Sequence, residues 1–139
     1  MLIIAERINA TRKRIAKAMQ ERDADRIATE ARRQQEAGAD FIDVNAGSDP
    51  AREIENLKWA VQVVQDSTDL PLCVDSAGSE GFRAALEMVE GEDVMLNSVN
   101  GEPQRMKEVL PIAADRGARL VGLLMDERGL PTGVDDRVQ

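Results

Sequence analysis

Histidine and tyrosine are absent from this chain, cysteine and tryptophan occur once each, and phenylalanine occurs twice. Without histidine the commonest general base and metal ligand is missing, and every Ser-His-Asp arrangement is excluded. The single cysteine, Cys73, rules out an internal disulfide and a cysteine-only metal cluster. So few aromatic rings leave little for nucleic-acid bases to stack on. An excess of positive charge is also lacking: the net charge is −8 and the pI about 4.6. Phosphate binding needs a basic surface, so nucleic acid is not an expected partner. No apolar run approaches the roughly 18 residues of a membrane span. The N-terminus enters a strand directly, with none of the parts of a secretory signal. The expectation is a cytoplasmic protein with neither a membrane nor a nucleic-acid partner. Its chemistry would rest on carboxylates, amides, hydroxyls, Arg or Lys, or on an external cofactor.

What is present is a repeated pattern. At 139 residues and 42% hydrophobic content the chain has room for one globular domain. Four strand-like runs each end in an acid or an amide: Leu2 to Asn9, Phe41 to Asn45, Leu72 to Ser76 and Val94 to Asn100. Helical stretches follow each of them, and a fifth strand is predicted over Ala118 to Met125. This alternation makes parallel βαβ units. In a parallel sheet every strand finishes at one edge, so Glu6, Asn9, Asp43, Asn45, Asp75, Asn97 and Asn100 are expected there together. Ligands of α/β folds bind at that edge.

The helices read from their apolar spacing and their punctuation. Thr11 to Arg22 predicts a short helix, and Asp23 or Asp25 caps the next, which stops at Gly38. Ile54, Leu57, Val61 and Val64 form the buried stripe of the helix after strand two. Phe82, Ala85, Leu86 and Val89 follow strand three. After strand four Pro103 suits a first helical position, with Met106, Val109, Leu110 and Ala113 facing inward. Asp126 to Gln139 reads as loop. On pattern alone, two architectures stand open: a five-stranded flavodoxin-like sheet, or the first five strands of a (β/α)8 barrel.

Four motifs stand in order along the chain: Ala5-Glu6-Arg7-Ile8-Asn9, Asp43-Val44-Asn45-Ala46-Gly47, Leu72-Cys73-Val74-Asp75-Ser76 and Leu96-Asn97-Ser98-Val99-Asn100. Together they resemble the methyltetrahydrofolate:corrinoid/iron–sulfur protein methyltransferase family. These are pterin-binding methyltransferases of the dihydropteroate synthase-like superfamily. The folate-binding domain of cobalamin-dependent methionine synthase looks similar but more distant. Asn56-Leu57-Lys58-Trp59 and Gly122-Leu123-Leu124-Met125 extend the likeness over the whole chain. The Asn-x-Thr-Pro-Asp-Ser-Phe segment of dihydropteroate synthase itself is absent.

The resemblance implies a TIM barrel of which residues 1–139 are the N-terminal portion, with about five strands and four helices. It implies a methyltransferase moving a methyl group between N5 of tetrahydrofolate and the cobalt of a corrinoid (cobalamin) carried by a partner protein. A homodimer or another oligomer is expected. Asp75 and Asn97 would hydrogen-bond the pterin ring, while catalytic residues are expected beyond Gln139. Asp43, Asn45, Ser76, Asn100, Glu6 and Asn9 are candidate pocket-lining residues. For Glu6, Arg7 and Asn9 a structural network is the favoured reading, since Glu6 and Arg7 point to opposite sides of an extended strand. Cys73 reads as a packed, inert thiol, Trp59 as core or interface, and Arg12-Lys13-Arg14 with Lys17 as a solvated helix face. No metal site is expected. The competing functional readings are a non-catalytic pterin-binding module or inactive fragment of such an enzyme, and a flavodoxin-like receiver domain. A receiver domain calls for paired acids after strand one and a lysine ending strand five. Only Glu6 and Met125-Asp126 stand there.

Overall fold

The computed structural model describes residues 1–135. Its elements run β1 (Ile4–Asn9), α1 (Lys13–Glu21), α2 (Ala24–Glu36), β2 (Phe41–Asn45), α3 (Glu53–Gln65), β3 (Leu72–Asp75), α4 (Ser79–Leu86), β4 (Val94–Val99), α5 (Pro103–Arg116) and β5 (Arg119–Gly122). The boundaries have local causes. Asp23 caps α2 by accepting from the Arg26 backbone N–H at 3.0 Å. Pro103 opens α5 at a position whose N–H has no helical partner anyway. Gly117 closes α5 at φ +67°, a left-handed conformation that glycine adopts without a Cβ clash. The fifth strand is shorter than the expected Ala118–Met125, because its ladder with β4 ends at Gly122. Of the expected tail loop, residues 136–139 lie outside the described residues.

All four strand pairs are parallel, and the spatial order is β1-β2-β3-β4-β5. A flavodoxin-like sheet would have the order 2-1-3-4-5. Sequential order is the barrel arrangement, so this is an α/β fold forming a five-stranded arc of TIM-barrel type.

Side chains alternate across the sheet, and the two faces differ in kind. Ile8, Ile42, Val44, Leu72, Val74, Val94 and Leu96 face the helices and share one core with Ile27, Leu57, Val61, Phe82 and Val109. The opposite, inner face carries a small cluster of Phe41, Cys73 and Met95, with Ile4 and Val121 beside it. This face is concave. The Arg119 guanidinium of β5 lies 5.3 Å from the Phe41 ring centre of β2, well across the sheet. Asn97 of β4 likewise bonds Asp43 of β2 across β3. The Asn97–Asp43 contact joins alternate strands, which is how barrel interiors are layered.

Two expected stripes need correction. Ile54 on α3 and Met106 and Leu110 on α5 are exposed. On α5 the inward positions are Val109, Ile112 and Ala113. The apolar spacing had two faces to choose from, and the sheet takes the one containing Ile112.

Candidate functional site

A cleft of about 450 Å³ opens at the carboxyl edge of the strands, lined in part by Asn45, Asp75, Ser76, Asn97 and Asn100. The ladder sets its floor: Asn45 stands in register with Asp75, and Asp75 with Asn97. Asp43, Glu6 and Asn9 are not around it. Asp43 lies one inner-face position deeper on β2, 1% exposed, directly under Asn97.

Within β1 the candidate residues separate. An extra residue in β1, between the Ala5–Ile42 and Ile8–Val44 partners, is a β-bulge. Arg7 turns to the helix side, where its Nε bonds Glu30 and its backbone N–H donates to Gln34 Oε1 at 3.0 Å. Glu6 is exposed. Asn9 Oδ1 accepts from the Thr11 backbone N–H at 2.9 Å and the Thr11 hydroxyl at 2.7 Å. The three thus make no joint network.

Asparagines at these strand ends play two parts. Asn9, Asn45 and Asn100 each accept from a backbone N–H two residues on, at Thr11, Gly47 and Glu102. This Asx turn shapes the loop that leaves the strand. Asn97 does otherwise: its Nδ2 donates to Asp43 Oδ2 at 3.1 Å. The Asn97–Ser98 peptide is cis.

The acids are perturbed in one direction. Burial pushes the Asp43 carboxyl up to about 6 from an ordinary 3.8; the Asn97 hydrogen bond opposes the rise and the Asp75 and Glu6 charges add to it. Burial also raises Asp75, against the Asn45 amide and with help from Glu6 and Glu53. Burial raises the Cys73 thiol strongly, with the Asp43 charge beside it, so this is an unreactive thiol. Among the described residues no group of three or more Cys, Asp or Glu is placed to hold a metal ion.

Three lining residues had no signal in the sequence. Glu53, from the first turn of α3, accepts from the Ser76 hydroxyl at 2.8 Å. Glu102 accepts from Asn100 Nδ2 at 3.0 Å. Arg105 of α5 donates to the carbonyls of Ala77, Ser76 and Ser98, at 2.8, 3.1 and 2.9 Å, and lies 5.2 Å from the Phe82 ring centre. It ties the loop after β3 to the end of β4. Arg105 is one of several arginines on helix surfaces, and only the folded loops reveal its task.

Gly81 holds Ser76 in place from behind. A Cβ on it would stand 2.1 Å from Ser76 Oγ and 2.8 Å from Ser76 Cβ. Gly81→Ala should therefore displace the Ser76 loop and destabilise the fold by about 1–3 kcal/mol, the usual range for overpacking. Thermal unfolding checks this, and an unchanged midpoint would mean that α4 shifts freely.

Residues 5–138 match the model of the pterin binding enzyme family. The chain belongs to that family. It is 38% identical over 141 residues to the methylcorrinoid:tetrahydrofolate methyltransferase of Eubacterium limosum, an alignment spanning all of this chain and 52% of that protein. The methionine synthases of Mycobacterium leprae (strain TN) and Mycobacterium tuberculosis (strain ATCC 25618 / H37Rv) are each 28% identical over 145 residues. Those alignments again span all of this chain, but 12% of each synthase. The chain thus spans about half the length, or less, of the curated relatives it matches. In barrels of this type ligands bind at the carboxyl edge of the strands, the edge at which this polar cleft lies.

Proposed function

We propose that this chain binds the pterin ring of a reduced folate at the cleft floored by Asp75 and Asn97. It would serve an enzyme that moves a methyl group between N5 of tetrahydrofolate and the cobalt of a corrinoid. The observation that carries the reading is the pairing of Asp75 and Asn97 in register at the mouth of the arc. A carboxylate accepts two parallel N–H bonds from an aminopyrimidinone edge, and an amide beside it adds a third polar contact. The methyl-transfer part leans on the named activity of the E. limosum relative. In this reading residues 1–139 supply the first five strands of one barrel domain.

The chain's own share is binding and orientation. The register of β2, β3 and β4 fixes the ring in the cleft, and Arg105 keeps the loops around it closed up. A corrinoid carried on a separate protein supplies the cobalt centre that exchanges the methyl group. Exposed Leu123, Leu124 and Leu130, just past the edge strand β5, support self-association as well. No helix among the described residues is long and apolar enough to cross a membrane, and a cytoplasmic setting goes with the same reading.

Asp75→Ala should weaken tetrahydrofolate binding by about 1–3 kcal/mol, the cost of leaving the ring's N–H groups unpaired. Isothermal calorimetry measures it. Equal affinities of the variant and the parent chain would remove Asp75 from the site and the pterin reading with it.

A further inference from the structure

We infer that Asp43 is a positioning residue that fixes the Asn97 amide with its carbonyl Oδ1 toward the cleft, so that the ligand atom meeting Asn97 is a hydrogen-bond donor. The inference rests on the reading that the cleft floored by Asp75 and Asn97 holds the ligand, and adds which way round one of its walls is polarised.

The hydrogen bond from Asn97 Nδ2 to Asp43 Oδ2, 3.1 Å long, decides the orientation. An ionised carboxylate only accepts. Turning the amide over would set Asn97 Oδ1 against Asp43 Oδ2, two acceptors in contact, so the flipped amide is excluded while Asp43 is charged. Asp43 can enforce this because it is itself immobile, 1% exposed and in the middle of a central strand. No hydrogen bond occupies Asn97 Oδ1 among the described residues, whereas the matching oxygens of Asn9, Asn45 and Asn100 are taken by their own turns. Asn97 is thus the strand-end asparagine whose acceptor remains open to the cleft.

The rest of the Asp43 environment offers little competition for Asn97. Asp43 Oδ1 is the one buried side-chain oxygen or nitrogen among the described residues that lacks a hydrogen bond of ordinary geometry. The weak thiol donor of Cys73 faces the carboxylate. With only the weak Cys73 thiol beside Oδ1, the ordinary hydrogen bond of this buried carboxylate is the one its Oδ2 accepts from Asn97.

The test compares the parent chain with Asp43→Asn, Asp43→Leu and the exchanged pair Asp43→Asn/Asn97→Asp. In the free parent protein above the titration range of Asp43, NMR of the Asn97 side-chain amide should show one Nδ2 proton shifted downfield and protected from exchange. Both signs should vanish in Asp43→Leu. Tetrahydrofolate, measured by calorimetry, should bind about ten-fold more weakly to Asp43→Leu, the size of one misdirected hydrogen bond, and with a smaller loss to Asp43→Asn, whose Oδ1 can still accept from Asn97 Nδ2 but whose amide no longer excludes the flipped arrangement. The exchanged pair should recover most of that loss. Its β2 amide can donate to the carboxylate now on β4, which offers only acceptors to the cleft. Affinities that stay level across all four proteins would overturn the inference, as would an Asn97 amide spectrum indifferent to the side chain at position 43. If the parent chain does not bind tetrahydrofolate, the pterin reading fails, while the amide spectrum still decides whether Asp43 orients Asn97.

Discussion

Arg105→Ala is expected to destabilise the protein by roughly 2–4 kcal/mol, through lost charge-assisted hydrogen bonds and a lost ring contact. One guanidinium bonds three backbone carbonyls, two in the loop after β3 and one near the end of β4, and stacks on Phe82. Removing it leaves those carbonyls to water, which enters readily because the cleft is open, and this keeps the figure well below the sum of three charged bonds. Arg105→Lys should recover little, since a single ammonium cannot span the carbonyls that a planar fork spans. Urea unfolding of the three proteins measures both effects. A lysine variant as stable as the parent would mean that charge, and not the shape of the fork, holds the loops.

Asp43→Asn is expected to gain stability relative to the parent as pH rises, by about 3 kcal/mol in all. The folded Asp43 carboxyl titrates at about 6, against 3.8 without the fold. Because the folded value is raised, the folded state holds the proton more tightly. Asp43 therefore contributes its full stability below pH 3.8 and loses it as pH rises through about 6. Asparagine resembles the protonated acid in shape and cannot lose a proton. The stability difference between variant and parent should stay flat below the acid range, widen between the two pKa values, and level off above them. Asp75, also raised by burial, adds a slope of its own in both proteins, smaller in the variant because the Asp43 charge that couples to it is gone. Denaturant unfolding at a series of pH values gives the curve directly. A constant difference across the series would show that Asp43 titrates in the folded state much as it does in the unfolded chain.

How much of this was legible in the sequence depends on the kind of signal each residue leaves. The strands were legible because each short apolar run, as in Leu72-Cys73-Val74-Asp75, is bounded by polar residues and alternates with a longer helical stretch. Their order in space was not. Strand–helix alternation suits both a flavodoxin-like sheet and a barrel, and pattern carries no record of which neighbour a strand pairs with. The motif resemblance pointed to the barrel, and the sequential order agrees. At the strand ends the asparagines looked alike, because an amide that shapes a turn and an amide that faces a ligand are the same residue in the same place. The resemblance alone singled out Asn97 from Asn9, Asn45 and Asn100, and the physical difference, Asp43 beneath it, appears only in the fold. Met106 and Leu110 were assigned to the wrong side of α5, because the helix carries apolar residues around more than one face. Arg105 and Glu53 left no trace at all, since their partners are backbone carbonyls and a serine far away in sequence.

The alternation of the strands has a consequence for how such a protein can change over time. On β2, β3 and β4, the residues at 42, 44, 72, 74, 94 and 96 are spent on packing against helices, and those at 43, 45, 75 and 97 on polar contacts of the opposite face. Each short segment therefore writes two messages, interleaved one residue at a time, with little shared vocabulary. A substitution at an odd-numbered inner position of β2 or β3 can retune recognition while the helix-facing layer stays as it was. Inserting or deleting one residue exchanges the two messages and destroys both at once. Variation in ligand preference among relatives should thus be found in point replacements inside these strands, and length variation in the loops between them.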